Sequence, residues 1–257
     1  MVKIIICGIG GKMGHTVLES LKEEKNAVAV GGIDKFADQS SFNIPIFKSA
    51  KEINVPFDVI IDFSRPDALN DLLECAEKCH TKLVIATTGY SQEQLDQIKS
   101  ASDKIAIFKT TNLSLGINLM TSLCRKAVAL LGDNFDVEII EQHHNLKVDA
   151  PSGTALSIAK AINEEFDNQK EFVYGRHCAN ERRSKKEIGI HAIRGGTIVG
   201  KHSVEFIGND EIVTISHEAQ SKAVFAQGAI KAAIFMQDKQ NGMHNMEELV
   251  QAMLGNE

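Results

Sequence analysis

No apolar run in this 257-residue chain is long enough to cross a bilayer, and its first residues hold no apolar stretch ahead of a cleavage site. Neither a membrane partner nor export is therefore expected. Paired cysteine spacing is missing too. Cys7, Cys75, Cys79, Cys124 and Cys178 are odd in number and form no disulfide framework, which suits a reducing, cytoplasmic setting. Cys75-Cys79-His80 has ligand chemistry, but no second cluster completes it and it lies in an apolar helical pattern, so no metal site is expected. Positive charge is not in surplus either. The formal net charge is -6, which argues against nucleic acid or an anionic surface as a general partner. His-Glu-x-x-His and Gly-x-Ser-x-Gly are both absent, and with them the usual signatures of zinc-dependent and serine hydrolysis. There are no internal repeats and no low-complexity linker.

What remains is an ordinary soluble composition, 43% hydrophobic and 24% charged, long enough for one large domain or two small ones. Val2-Lys3-Ile4-Ile5-Ile6-Cys7 is nearly continuous apolar sequence, the pattern of a strand buried on both faces. It runs into Gly8-Ile9-Gly10-Gly11-Lys12-Met13-Gly14, after which Met13, Val17, Leu18 and Leu21 recur at helical spacing. Strand, glycine turn and helix together are the setting of a dinucleotide fingerprint: glycine lets backbone approach a pyrophosphate, and the helix start offers N–H groups. The spacing departs from Gly-x-Gly-x-x-Gly, since Met13 stands where the third glycine belongs and Gly14 comes one residue late. Ala27 to Ile33 reads as a second strand ending at Asp34. A carboxylate about 20 residues past the turn is placed to meet a ribose hydroxyl. Lys35 beside it would instead meet a 2′-phosphate, so NADH and NADPH both stay open.

Asp58 to Phe63, Lys82 to Ala86 and Ile105 to Phe108 read as further strands. Ser64-Arg65-Pro66 is expected to cap a helix carrying Leu69, Leu72, Leu73, Ala76 and Cys79, and Ser91 to open another through Ile98. Strands alternating with helices imply a Rossmann-like, doubly wound parallel sheet of the α/β class. Ligands of such sheets sit beyond the carboxyl ends of the strands, which puts Gly8–Met13, Phe63–Arg65, Thr87–Gly89 and Thr110–Leu113 on one rim.

The second half changes character. A helix from Leu115 to Leu131 leads to a strand from Phe135 to Glu141. Ile188–Arg194, Thr197–Ile207 and Glu211–Ala219 then read as strands, with Gly195-Gly196 and Gly208-Asn209-Asp210 as hairpin turns. A second, α+β region is expected, with a last helix from Ala223 to Met236 returning to the first. Residues 175–186 are rich in cations (Arg176, Arg182, Arg183, Lys185, Lys186); a solvated loop and a lid over an anionic substrate are both open readings.

Glu141-Gln-His-His-Asn-Leu-Lys-Val-Asp-Ala-Pro-Ser-Gly-Thr concentrates the chemistry. Adjacent residues of an extended chain face opposite ways, so His143 and His144 should play different roles. Histidine suits proton transfer near neutral pH. Lys147 adds a cation, and helix-start amides at Gly153 and Thr154 suit a carboxylate. Behind a nucleotide domain, this set points to hydride transfer with a proton donor and a carboxylate grip. A dinucleotide sensor without turnover, or an amino-acid dehydrogenase on the same fold, are the alternatives.

The glycine turn, Ala86-Thr87-Thr88-Gly89, the His-His run and Arg194-Gly-Gly-Thr-Ile-Val-Gly-Lys-His202 together resemble the dihydrodipicolinate reductase family, and the resemblance spans nearly the whole chain. It implies reduction, by NADH and/or NADPH, of a small dicarboxylate cyclic imine in the diaminopimelate branch of lysine biosynthesis. It also implies a cofactor domain (1–114 with 222–257), a substrate and oligomerisation domain (115–221), and a homotetramer. By resemblance His143 is the proton donor or acceptor and Lys147 a proton donor or stabiliser. His144, Gly153 and Thr154 hold the substrate. Gly8, Ile9, Gly10, Gly11, Lys12, Met13, Asp34, Lys35, Ala86, Thr87, Thr88, Thr110, Thr111, Asn112 and Leu113 hold the cofactor. Ala86 stands where the family often has glycine, Leu113 where it often has an aromatic, and Asp34-Lys35 where Glu-Arg is common, so the resemblance does not choose between the two nucleotides.

Overall fold

The computed structural model describes residues 1–177 and 180–255; Cys178 lies outside them. In chain order the elements begin β1 (Val2–Cys7), α1 (Lys12–Leu21), β2 (Ala27–Ile33), β3 (Ile46–Phe47), β4 (Val59–Asp62), α2 (Leu69–Cys79), β5 (Lys82–Ile85), α3 (Gln92–Ala101) and β6 (Ala106–Lys109). They continue with α4 (Leu115–Leu131), β7 (Asp136–His143), α5 (Gly153–Glu164), β8 (Glu171–Tyr174), β9 (Glu187–Arg194), β10 (Gly200–Ile207) and β11 (Ile212–Ala219). Last come α6 (Ala223–Phe235), β12 (Gly242–His244) and α7 (Met246–Met253). The chain divides into two compact units, Met1–Leu115 with Lys222–Glu257, and Gly116–Ser221.

The first unit is a seven-stranded sheet in the order β12-β6-β5-β4-β1-β2-β3, parallel at every pairing. Alternation on β1 explains its two-sided burial. Ile4 and Ile6 join one core with α1, α6 and α7; Ile5 and Cys7 join the other with α2 and α3. Ile4, Ile5 and Ile6 are each fully buried, a contribution of roughly 1.5–3 kcal/mol per side chain. The strand order reverses beside β1, which pairs with β2 on one side and β4 on the other. That crevice is where parallel sheets bind ligands.

The delayed glycine now has a reason. Gly8 takes φ +76°, and a Cβ on Gly14 would lie 2.3 Å from the Gly8 carbonyl oxygen. Gly14 is thus the residue that lets α1 pack against the turn, one position later than the common spacing. One cap expected from sequence is absent: the Ser64 hydroxyl donates to Asp62 at 2.5 Å, and Arg65, which precedes the short helical turn Pro66–Ala68, makes no side-chain cap.

The second unit is a mixed five-stranded sheet, β11-β10-β7-β9-β8, covered by α4 and α5 around Ile117, Met120, Cys124, Ile158 and Ile162. Gly208-Asn209-Asp210 does close a hairpin between β10 and β11. Gly195-Gly196 does not. β7 lies between β9 and β10, parallel to the first and antiparallel to the second. The glycine pair carries the chain across the end of β7: the Gly195 N–H donates to the His143 carbonyl at 2.9 Å, and the Asn145 N–H to the Gly196 carbonyl at 3.2 Å. Two glycines permit that sharp passage, but they do not say which strand comes next in the sheet.

Candidate active site

On the first unit, β1, β4, β5 and β6 are parallel, so the segments after them emerge along one edge of the sheet. The N-terminus of α1 is open to an anion. Gly11 provides no side-chain cap and the first turn holds no acid, whereas Ser91, Ser152 and Asn245 cap α3, α5 and α7. Gly10, Gly11 and Lys12 are exposed. Asp34 Oδ2 accepts from the Gly10 N–H at 3.0 Å, and Oδ1 accepts from the N–H groups of Phe36 and Ala37 at 2.9 and 3.1 Å. Each carboxylate oxygen has two lone pairs, so Oδ2 keeps one for a hydroxyl donor. Lys35 is exposed beside it. These residues fit a dinucleotide.

Other rim residues have narrower means. Ile9 and Leu113 are buried in the first core, which leaves only their backbones to meet a ligand. Thr110 and Asn112 brace each other, the Asn112 N–H donating to Thr110 Oγ1 at 3.2 Å. Thr111 and Thr88 are exposed, Thr87 is buried, and Ala86 and Met13 are half-buried. Asp62, fully buried at the end of β4, accepts from Ser64 and, at 3.2 Å, from the Tyr90 hydroxyl. It thereby ties the segment after β4 to the one after β5.

On the second unit, period-two alternation on β7 turns Val137, Ile139, Glu141 and His143 inward. Glu141 is fully buried and forms the hub. Its Oε2 accepts from His143 Nδ1 at 2.6 Å and from Arg194 at 2.8 Å; its Oε1 accepts from the Ser152 N–H at 2.9 Å and from Arg194 at 2.7 Å. Burial alone would raise the Glu141 carboxyl, but hydrogen bonds from Arg194, His143 and the Ser152 amide outweigh it and hold it below the usual range. His144 faces away from His143 and is half-buried, its Nδ1 shielded from solvent without a hydrogen-bond partner among the described residues. The Lys147 ammonium pairs with Asp149 at 2.8 Å; with Asp149 exposed, a pair of this kind is worth about 0–1 kcal/mol and exchanges readily for another anion. Gly153 opens α5, and a Cβ there would meet nothing within 4 Å. Thr154 follows it, half-buried.

His202 completes the group. Its ring meets His143 edge-on at 5.2 Å, and Ser152 Oγ, which accepts from the Ala155 N–H, lies 3.1 Å from His202 Nε2. Burial, and next the neighbouring His143, push the His202 imidazole down to about 4. The folded form is then neutral where the unfolded histidine, near 6.5, gains a proton, so the fold loses stability as pH falls from 6.5 towards 4. From His202 alone the protein is expected to be about 2 kcal/mol less stable at pH 5 than at pH 7. Urea midpoints for the parent and His202→Asn check this: the variant should lose most of that difference, and an equal pH slope would contradict it.

The sequence reading missed Glu141, Ser152, Arg194 and His202 as site residues. Arg194 lay within the family run but carried no role. In the basic segment, Arg176 and Arg183 are committed: both pair with Glu138, at 3.1 and 2.9 Å, and Arg183 also with Asp136 at 2.7 Å. As placed, these two cations brace the sheet.

Comparison with known proteins decides the family. The description "Dihydrodipicolinate reductase, N-terminus" matches residues 2–113, and "Dihydrodipicolinate reductase, C-terminus" matches residues 116–250. The chain belongs to the dihydrodipicolinate reductase family. Among its relatives, the 4-hydroxy-tetrahydrodipicolinate reductase of Caldanaerobacter subterraneus subsp. tengcongensis is 48% identical, over 97% of this chain and 98% of that one. The enzyme of the same name from Clostridium novyi is 45% identical, over 98% and 99%. The solved dihydrodipicolinate reductase of Paenisporosarcina sp. TG-14, with dipicolinate bound, superimposes with a TM-score of 0.77 at 25% identity, covering 95% of this chain and 97% of that one. Residues 222–250 of the C-terminal match fold into the first unit here.

Proposed function

We propose that this member of the family is a reductase. Its substrate is the cyclic imine dihydrodipicolinate, arising from 4-hydroxy-tetrahydrodipicolinate, and its product is tetrahydrodipicolinate, in the diaminopimelate branch of lysine biosynthesis. Support from the geometry rests on one observation: a single buried carboxylate, Glu141, holds both the His143 ring and the start of α5. A proton donor and a helix start able to grip a carboxylate are thereby locked together, as reduction of an anionic imine requires.

His143 would give its proton from Nε2, the nitrogen not engaged by Glu141. Lys147, His144, Gly153 and Thr154 would hold the two carboxylates; the shielded Nδ1 of His144 and the open space beside Gly153 fit that role. Residues Gly8–Met13, Asp34, Lys35, Ala86–Thr88 and Thr110–Leu113 would hold the nucleotide, which when bound supplies the hydride. Asp34 suits the ribose hydroxyl of NADH and Lys35 the 2′-phosphate of NADPH, and both cofactors are proposed. The first unit is then the cofactor domain and the second the substrate and oligomerisation domain of a cytoplasmic homotetramer. Exposed Ile193 and Ile212 on the second sheet suit subunit contact.

The deciding assay follows the absorbance of NADH and of NADPH while the imine is made in place from pyruvate and aspartate semialdehyde. Imine-dependent oxidation is expected. No oxidation with either nucleotide would remove the enzyme assignment.

A further inference from the structure

The run from Arg194 to His202 has no role in the function proposed above, yet both of its ends reach the same buried carboxylate network. We infer that Glu141 is the positioning residue of the proton-transfer step, fixing the His143 ring and its tautomer, and that Arg194 opposes it to set how readily that ring holds a proton. This rests on the reading of His143 as the proton donor.

The geometry supports it in three ways. First, the 2.6 Å bond to Glu141 Oε2 places the neutral ring's proton on His143 Nδ1, which leaves Nε2 as the atom that exchanges protons with a ligand. Secondly, Glu141 cannot turn away. Its other oxygen takes the Ser152 N–H, and Arg194 bridges both oxygens at 2.8 and 2.7 Å. Thirdly, the Nε2 side has been kept clear. Gly200 faces it, and a Cβ there would lie 3.1 Å from His143 Nε2.

The charges around His143 come from four strands and one loop. Glu141 on β7 favours the imidazolium, and Arg194 on β9 disfavours it. His202 on β10, with its neighbour His217 on β11, is kept neutral by burial. Lys147 and Asp149, in the loop after β7, form an ion pair of no net charge. Glu141 and Arg194 also pair with each other, but Glu141 bonds the ring directly and Arg194 bonds the same oxygen, so the two act on the ring in opposite directions. A carboxylate that merely anchored Arg194 and Ser152 would not produce opposite effects on the ring.

The test is an NMR titration of the His143 ring nitrogens, which needs no turnover, run beside pH profiles of kcat and KM. In the folded parent the neutral ring should carry its proton on Nδ1. Glu141→Gln keeps the side chain's size and an acceptor oxygen but removes the charge. The His143 midpoint should fall, and kcat should drop about a hundredfold or more with KM changed less than about threefold. The alkaline limb of kcat, where the imidazolium is lost, should move to lower pH. Arg194→Gln should move the midpoint and that limb to higher pH. A His143 titration unmoved by either substitution overturns the inference and leaves the reductase reading standing. If Glu141→Gln does not fold, Arg194→Gln decides alone: an upward shift supports the inference and no shift overturns it. Full kcat in His143→Ala would instead remove the reading on which it rests.

Discussion

His143→Ala is expected to lower kcat by about 10²- to 10⁴-fold, the usual scale for a lost general acid. No neighbour is placed to substitute. His202 is neutral at working pH and bonded through Ser152, His144 faces the other way, and Lys147 is paired with Asp149. The substitution should spare the fold, because Glu141 keeps Arg194 and the Ser152 amide. It should also spare nucleotide binding, since no proposed cofactor residue lies on the second unit. The expected signature is a parallel fall in kcat and kcat/KM with an unchanged Kd for NADH. That pattern marks an interaction made only in the transition state. Steady-state kinetics with a nucleotide fluorescence titration measure both, and an unchanged kcat would take His143 out of the chemistry.

Gly228→Ala should have the largest effect on stability. A Cβ at that position in α6 would lie 1.7 Å from the Leu113 carbonyl oxygen and 2.8 Å from its carbon. The obstacle is backbone, so no side-chain rotation relieves it. Nor can the segment yield freely, since Thr110, Asn112 and Ser114 hold its shape through hydrogen bonds between Thr110 and Asn112 and between the Ser114 N–H and Asn112. Overpacking costs typically 1–3 kcal/mol and occasionally more; against main chain in a buried core the upper part of that range, about 3 kcal/mol, is expected. Nucleotide binding should weaken as well, because Thr110–Leu113 is a proposed cofactor segment. Urea denaturation and a nucleotide titration check the two effects. Parent-like values in both would mean that α6 slides to make room.

What the chain concealed shares one cause. β1, the glycine turn and the alternation of strands with helices are local patterns and could be read directly. The His-His run was visible for the same reason. Glu141 was not, because an acid at an inward position of β7 reads like one on the solvated face until its partners are known. Arg194 reaches it across 53 residues and His202 reaches Ser152 across 50, and sheet register alone makes those meetings. The same gap explains the misplaced hairpin: turn residues at Gly195-Gly196 describe a bend without naming the strand beside it. β3 and β12 are too short to show a period, and the need for Gly228 depends on Leu113, in a distant part of the sequence.

The interior position of β7 has a bearing on motion. With β9 bonded along one edge and β10 along the other, the strand has no free side from which to peel. An excursion that swung His143 out of line would have to open two hydrogen-bond ladders at once. Such openings belong to the rare, near-global fluctuations of a protein, in contrast to the frequent fraying of loops and edges. Lys147 and Asp149, in the turn just past the strand, are under no such restraint. The proposed proton donor thus lies on a strand held along both edges and the proposed carboxylate-binding cation in the turn beyond it, with only three residues between them.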